Sequence, residues 1–372
     1  MLKSLLKTTL FLLLLFVSAG LYAQCNGHSE LCDRRYDEVA YLTTHNAFNA
    51  GEEGFSLPNQ TYGLTRQLQD GVRAVMLDVY DEGGVATAYH GFAFLGTATL
   101  ESNLTEIKDF LDANPNEIVT IIFESYINST MMDTVFTQVG LKPMLHEQTL
   151  GEPWPTLQEM INSGKRLFVL SDNNDAAVGQ EWYHYVWDFA VETGFTINAP
   201  TDFDCDFNRG NSANDLFIVN HFVTDANIGT GQADQAAIVN EMSFFYDRVY
   251  GCQIEQQKFP NFPTVDFYEL GQTLAVVDSL NGLQTSVGIR PVLELPFSVY
   301  PNPSNGVFQI DVNSLNEKAT YSIFDITGKR IIESSLSSQS TIDLTNRPEG
   351  IYFLSIMLPK GRETIKLVNL PD

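Results

Sequence analysis

Along residues 36–281, short apolar runs alternate with stretches in which apolar positions recur every three or four residues. The runs at 39–42, 72–79, 85–89, 118–123, 167–170, 216–219 and 263–267 read as strands, several of them continuously apolar in the way of strands buried on both faces. Between them, Leu64 with Leu68, then Leu104, Ile107 and Leu111 before Pro115, and finally Leu274 with Val277, keep helical spacing. Strands separated by helices imply parallel βαβ units. About eight strands over about 250 residues suit an α/β (β/α)8 TIM barrel, distorted where runs are short. A doubly wound open sheet is the alternative, but no GxGxxG phosphate loop follows the first strand.

Near Arg290 the pattern changes. Phe308, Ile310 and Val312 alternate with polar residues, as do Tyr321 and Ile323, between the turn signals Pro301-Asn302-Pro303, Asn305-Gly306, Thr327-Gly328 and Glu349-Gly350. A small all-β sandwich over 297–372 is expected, joined by a linker at 286–296 to a main domain at 24–285. The tail has neither histidine nor cysteine and offers no chemistry.

Residues 1–23 read as a signal peptide: Lys3 and Lys7, an apolar run at 10–17, then small residues with cleavage after Ala23. That run is too short to span a bilayer, which takes about 20 apolar residues, and no later segment reads as transmembrane. Gln24 directly before Cys25 argues against a lipid anchor on that cysteine. The four cysteines, Cys25, Cys32, Cys205 and Cys252, suit two disulfides in an exported chain. Sequence leaves three pairings open; Cys25–Cys32 with Cys205–Cys252 is favoured, and a metal site is disfavoured by the absence of a CxxC pair. A net charge of −25, from 46 acids and 21 bases, excludes nucleic acid as partner and argues against electrostatic docking on anionic membranes.

Barrel active sites lie where strands end. The first expected strand runs into Thr44-His45-Asn46, the second ends at Asp78-Val79-Tyr80, the third at Tyr89-His90-Gly91 and the fourth at Glu124-Ser125. Two histidines, His45 and His90, supply an acid–base pair, because imidazole with a pKa of about 6.5 is available in either proton state near neutrality. A phosphodiester needs both, plus positive charge for its oxygens. Asn46, Asp78 and Glu124 are hard oxygen donors of the kind Ca2+ takes, and Arg73 is the basic candidate. Each has a plainer reading: a hydrogen-bonded strand-end histidine, a capping Asp78, a Glu124 paired with Arg73, Lys165 or Arg166, an Arg73 that braces the barrel. His28, His146, His184 and His221 read as structural or surface residues.

Thr44-His45-Asn46-Ala47, Gly71-Val72-Arg73, Met76-Leu77-Asp78-Val79-Tyr80, Tyr89-His90-Gly91 and Asn114-Pro115-Asn116-Glu117 with Glu124 resemble the X domain of phosphatidylinositol-specific phospholipase C. Trp154-Pro155-Thr156-Leu157, Lys165-Arg166-Leu167, Asn261-Phe262 and Val265-Asp266-Phe267-Tyr268 extend the resemblance to about residues 25–285. It implies a distorted barrel, His45 and His90 as acid and base, attack by an inositol hydroxyl to give a cyclic phosphate, and Asn46, Asp78 and Glu124 at calcium-ligand positions. It further implies that Asp266 orients a catalytic histidine. Met76 stands where the family carries an acid, so calcium would have fewer carboxylates; Ser171-Asp172 replace basic residues, which disfavours polyphosphorylated inositides. No membrane-inserting apolar rim is evident. Ser298-Val299-Tyr300-Pro301-Asn302-Pro303, Phe324-Asp325-Ile326-Thr327-Gly328-Lys329 and Gly350-Ile351-Tyr352-Phe353 resemble the sorting domain recognised by the type IX secretion machinery, implying a secreted or cell-surface protein.

Three functions follow. The leading one is a secreted phosphodiesterase acting on a phospholipid, glycolipid or soluble phosphodiester. A glycerophosphodiester-type hydrolase is second, disfavoured because His45 is followed by Asn46 rather than Arg-Gly. A catalytically silent binding or adhesion protein is third, favoured by Met76 and the missing basic residues and opposed by His45 with His90.

Overall fold

The computed structural model describes residues 24–175, 179–225, 230–283, 297–312, 319–325, 329–337, 339–358 and 361–370. The expected signal peptide, the linker and Thr327-Gly328 lie outside them. The chain divides into two compact units, Met1–Thr285 and Ser286–Asp372.

The first unit is built on β1 (Thr43–Thr44), β2 (Ala74–Glu82), β3 (Val119–Ser125), β4 (Leu167–Ser171), β5 (Tyr183–Tyr185), β6 (Ala190–Thr193), β7 (Leu216–His221) and β8 (Phe262–Val265). Ladders between sequence neighbours are parallel, and β8 returns to β1, so the sheet curls into a singly wound barrel. One joint is open: no ladder links β5 to β6 among the described residues, where the one-turn helix Val186–Phe189 runs between them. A further strand, Phe207–Gly210, lies antiparallel on the edge of β6 that faces this seam.

Strand alternation sorts the core. Ala74, Ile122, Phe168, Leu170, Ile218 and Phe262 share the interior cluster, whereas Val75, Leu77, Ile121 and Phe123 pack outward with Leu104, Ile107 and Leu111 of the helix Leu100–Ala113. Inward positions nearest the strands' C-terminal ends are polar and build the site described below. Disulfides join Cys25 to Cys32 and Cys205 to Cys252.

Two strands depart from the expectation. Residues 39–42 are buried but outside the ladders, which begin at Thr43. Side-chain amides serve the backbone of the first two: Asn281 accepts from Ala40 N (2.8 Å) and donates to its carbonyl (2.9 Å), and Asn261 donates to Val39 O (3.2 Å), whereas Tyr41 N donates to Asn261 O (2.7 Å) and Leu42 O accepts from Ala74 N (3.1 Å). The run at 85–89 is not a barrel strand. Val85–Ala88 folds back antiparallel on β2 because Gly83 and Gly84, both at positive φ (64° and 93°), make a two-residue hairpin turn between Glu82 and Val85.

The second unit is all β. A three-stranded sheet (Phe297–Tyr300, Val307–Val312, Gln339–Asp343) and a four-stranded sheet (Ala319–Asp325, Arg330–Leu336, Gly350–Leu358, Gly361–Asn369) share one core that includes Phe308, Ile310, Ile323, Leu354 and Leu367.

Candidate active site

His45 follows β1 directly and continues its ladder, its N–H donating to Val265 O (3.0 Å). Its Nδ1 lies 2.9 Å from Oδ1 of Asp266, the buried residue that follows β8. The amide of Asn59 donates to both Asp266 oxygens (3.2 and 3.1 Å) and itself accepts from Asn49 (2.7 Å). The ring of Phe222 stacks flat on His45, with centroids 3.9 Å apart and 5° between planes. One imidazole is thus fixed in plane, tilt and tautomer by a carboxylate whose other contacts are already made. The residues next after His45 and Asp266, Asn46 and Phe267, both hold φ near 46°, a conformation bulky Phe adopts only under constraint.

His90 follows the Val85–Ala88 hairpin strand rather than a barrel strand. Its ring stands edge-on to that of His45, with centroids 6.4 Å apart. Burial, and then the charge of His45, lower its pKa from the usual imidazole value, against the raising influence of Asp266 and Glu124. Immediately beyond it, Phe92 and Phe94 are 63% and 82% exposed and stack on each other at 5.4 Å. In the sequence, two phenylalanines spaced by one residue carry no signal of exposure until a turn brings both outward.

His45, Asp78, Glu124, Asp172, Glu192 and Arg209 line one cavity of about 90 Å³ at the C-terminal ends of the strands. Asn46 lies between Asp78 and His45: with its amide nitrogen toward Asp78 it donates to both carboxylate oxygens (3.2 and 3.1 Å), and its oxygen accepts from His45 Nε2 (3.2 Å). Burial, then Glu124 and Asp172, hold the pKa of Asp78 well above the ordinary carboxylate value. Asp172 is shifted the same way by burial and Glu124, opposed by the N–H of Ser125 and the charge of Arg209. Hard oxygens that disfavour one another's charge suit a hard divalent cation. As the side chains stand, only Asn46 and Asp78 touch; Glu124 accepts from the Tyr126 hydroxyl (2.6 Å), and among the described residues no three His, Cys, Asp or Glu side chains converge as a metal cage.

Arg73 is not in the site, a correction to the sequence expectation. It precedes β2, at the opposite end of the strand, and its guanidinium binds Glu117 (2.7 Å) and the carbonyls of Leu68 and Val72. Nor does Glu124 pair with Arg73 or Arg166, since Arg166 donates to the carbonyls of Leu111, Asn114 and Glu117. The cation that does reach the cavity, Arg209, was missed. Its strand, Phe207–Gly210, is short and polar and carries no strand pattern. Glu192, on the short strand β6, was missed for the same reason, and Asn59 and Phe222 because a single residue outside the strands carries no pattern.

The PI-PLC X 1 family model matches residues 31–281. The chain belongs to the PI-PLC X family. The secretion system C-terminal sorting domain model matches residues 298–369, so this PI-PLC X protein is an exported one of the type IX route. No helix among the described residues is long and apolar enough to cross a membrane. A PI-PLC X domain-containing protein of Arthroderma benhamiae is 29% identical over 286 residues, covering 70% of this chain and 90% of its own. A PI-PLC X domain-containing protein of Arabidopsis thaliana is 28% identical over 272 residues and 66% of this chain, which spans 62% of that relative's length. A variant of the phosphatidylinositol-specific phospholipase C from Staphylococcus aureus superposes with a TM-score of 0.47 at 13% identity, covering 68% of this chain and 94% of its own.

Proposed function

We propose that this PI-PLC X protein is a secreted phosphodiesterase in which His45 and His90 act as base and acid on one phosphorus centre. The observation that carries the reading is the pair of imidazoles 6.4 Å apart at the barrel mouth, one of them held by buried Asp266. With Nδ1–H donated to Asp266, the neutral form of His45, in which Nε2 no longer donates to Asn46, takes the proton from an attacking hydroxyl on Nε2. The hydroxyl oxygen bonds to phosphorus, the bond to the leaving oxygen breaks, and His90 gives that oxygen its proton. When the nucleophile is a hydroxyl of the substrate's own head group, the product is a cyclic phosphate. The lowered pKa of His90 makes its protonated form a ready donor, and an arriving phosphate anion stabilises that form.

Calcium belongs to the proposal as an ion that would be held by Asp78 and by Asn46 once its amide turns its oxygen toward Asp78, with Glu124 turned away from Tyr126 and Asp172 completing the carboxylates. Bound there, it would neutralise charge on the phosphoryl oxygens. The exposed Phe92 and Phe94 beside His90 favour a substrate presented at a lipid surface, which the chain's net charge of −25 would not attract electrostatically.

The test is a panel of phosphodiesters followed by phosphorus NMR, with and without calcium. On the substrate that turns over, His45→Ala and His90→Ala are each expected to cut turnover by at least about 100-fold with the melting curve retained. Unchanged turnover in both variants removes the acid–base assignment, and no turnover of any diester by the wild type favours the silent binding protein.

A further inference from the structure

The cavity holds four carboxylates, from Asp78, Glu124, Asp172 and Glu192, and Arg209 is the one Lys or Arg among the described residues lining it. An anionic substrate entering there meets net negative charge unless that arginine receives it. Arg209 is built to do so. Its guanidinium packs over two rings, 4.5 Å from the centroid of Trp187 and 4.6 Å from that of Phe195. Its Nε donates to the buried carboxylate of Glu192, which Asn220 (3.2 Å) and Asn208 (3.4 Å) also hold. The two ring faces and the single nitrogen contact fix the guanidinium plane. Among the described residues no partner takes the terminal nitrogens. A planar guanidinium whose end-on fork of two terminal nitrogens has no partner among the described residues, and which lines a cavity also lined by His45, is the geometry that grips two oxygens of one phosphate.

We infer that Arg209 is the phosphate-binding residue of this cavity, and that the carboxylates around it restrict the site to a phosphodiester of single negative charge on an otherwise uncharged head group. The inference deepens the phosphodiesterase reading and rests on it for the class of substrate. Its two halves share one cause. Glu192 already offsets the one positive charge, so a monoanion gains the fork's hydrogen bonds at little electrostatic cost. In the calcium-free site, a second phosphate or a dianionic monoester meets Asp172, Glu124 and Asp78 with no further Lys or Arg among the described lining residues to balance it.

Binding of simple probes tests this apart from turnover. Full-length protein is titrated with dimethyl phosphate, a monoanionic diester, and with methyl phosphate, largely dianionic at pH 8, in chelator and followed by phosphorus NMR. The wild type is expected to bind the diester and to prefer it. Arg209→Gln is expected to weaken diester binding by about 10- to 100-fold, the loss of a charge-assisted pair of hydrogen bonds. Arg209→Lys, which keeps the charge but loses the fork and the stacking, is expected to fall between. Arg209→Gln leaves Glu192 buried and unpaired, so the Arg209→Gln, Glu192→Gln double variant is measured too: with both charges gone it is expected to fold and still to bind the diester poorly. Glu192→Gln alone is expected to narrow the preference for diester over monoester.

Diester affinity unchanged in both Arg209→Gln and the double variant overturns the assignment, as does a wild type that binds no diester or prefers the dianion. His45→Ala is expected to keep diester binding, so loss of turnover without loss of binding there, and loss of binding at Arg209, separate the two proposals. On a turned-over substrate, Arg209→Lys is expected to raise KM more than it lowers kcat.

Discussion

A carboxyl whose folded pKa is raised, as burial and then Glu124 and Asp172 raise that of Asp78, holds its proton more tightly in the folded chain than in the unfolded one. Its contribution is favourable below the unfolded value of about 4 and is lost as pH climbs through the raised value. In calcium-free buffer with chelator, Asp78→Asn is therefore expected to melt higher than the wild type at pH 7, with the gap closing toward pH 4. A variant that melts lower at pH 7 would show that Asp78 stabilises the fold. Calcium is expected to raise the wild-type melting temperature, chelator to reverse it, and Asp78→Asn to abolish the rise; a wild-type curve indifferent to calcium sinks the ion. The placement of His45, Asn46 and Asp78 was legible because each lies at or just past the C-terminal half of an apolar run of the barrel wall, and His90 was found by the same rule although its run is a hairpin arm. Asn59, Glu192, Arg209 and Phe222 were not, since an isolated polar or aromatic residue in a loop or a four-residue strand states no address until the chain is folded.

Among elements, the strand Phe207–Gly210 depends on its last residue. Gly210 holds φ at 88°, and a Cβ there would lie 2.2 Å from Ala190 O and 2.8 Å from Val191 Cα. Only glycine lets this strand lie against β6. Gly210→Ala is expected to cost roughly 1–3 kcal/mol in denaturant unfolding and to loosen the strand, read as faster hydrogen exchange at 207–210 with β2 and β3 unchanged. Unchanged exchange there would show that the strand is held by other contacts. The Cys205–Cys252 disulfide pins the chain two residues ahead of this strand to the helix Met242–Gln256. The long buried strands β2, β3, β4 and β7 showed in the sequence because unbroken apolar runs have few other fates. β5 and β6 did not: Tyr183-His184-Tyr185 and Ala190-Val191-Glu192-Thr193 are short and mix polar with apolar residues.

At the scale of the molecule, the chain divides into the barrel and the β tail, and the described buried apolar residues of the tail form a cluster of their own. Each unit therefore supplies its own burial. Removal of residues 297–372 is expected to leave the barrel's melting transition within about 2 °C and its diester binding intact, while export of the chain is lost. A barrel that unfolds without the tail would show that the two units share stability. The division was legible because a change of hydrophobic period, from alternating strands and helices to strands alone, needs no contact information to detect.

The open joint between β5 and β6 gives the protein a replaceable part. The arginine-bearing strand is stitched to the wall along one margin, and the two imidazoles stand on segments it does not support. Exchanging that strand for one of different charge leaves the other wall ladders uncut, so the anion preference proposed for Arg209 is open to change while the proton-transfer pair stays in place.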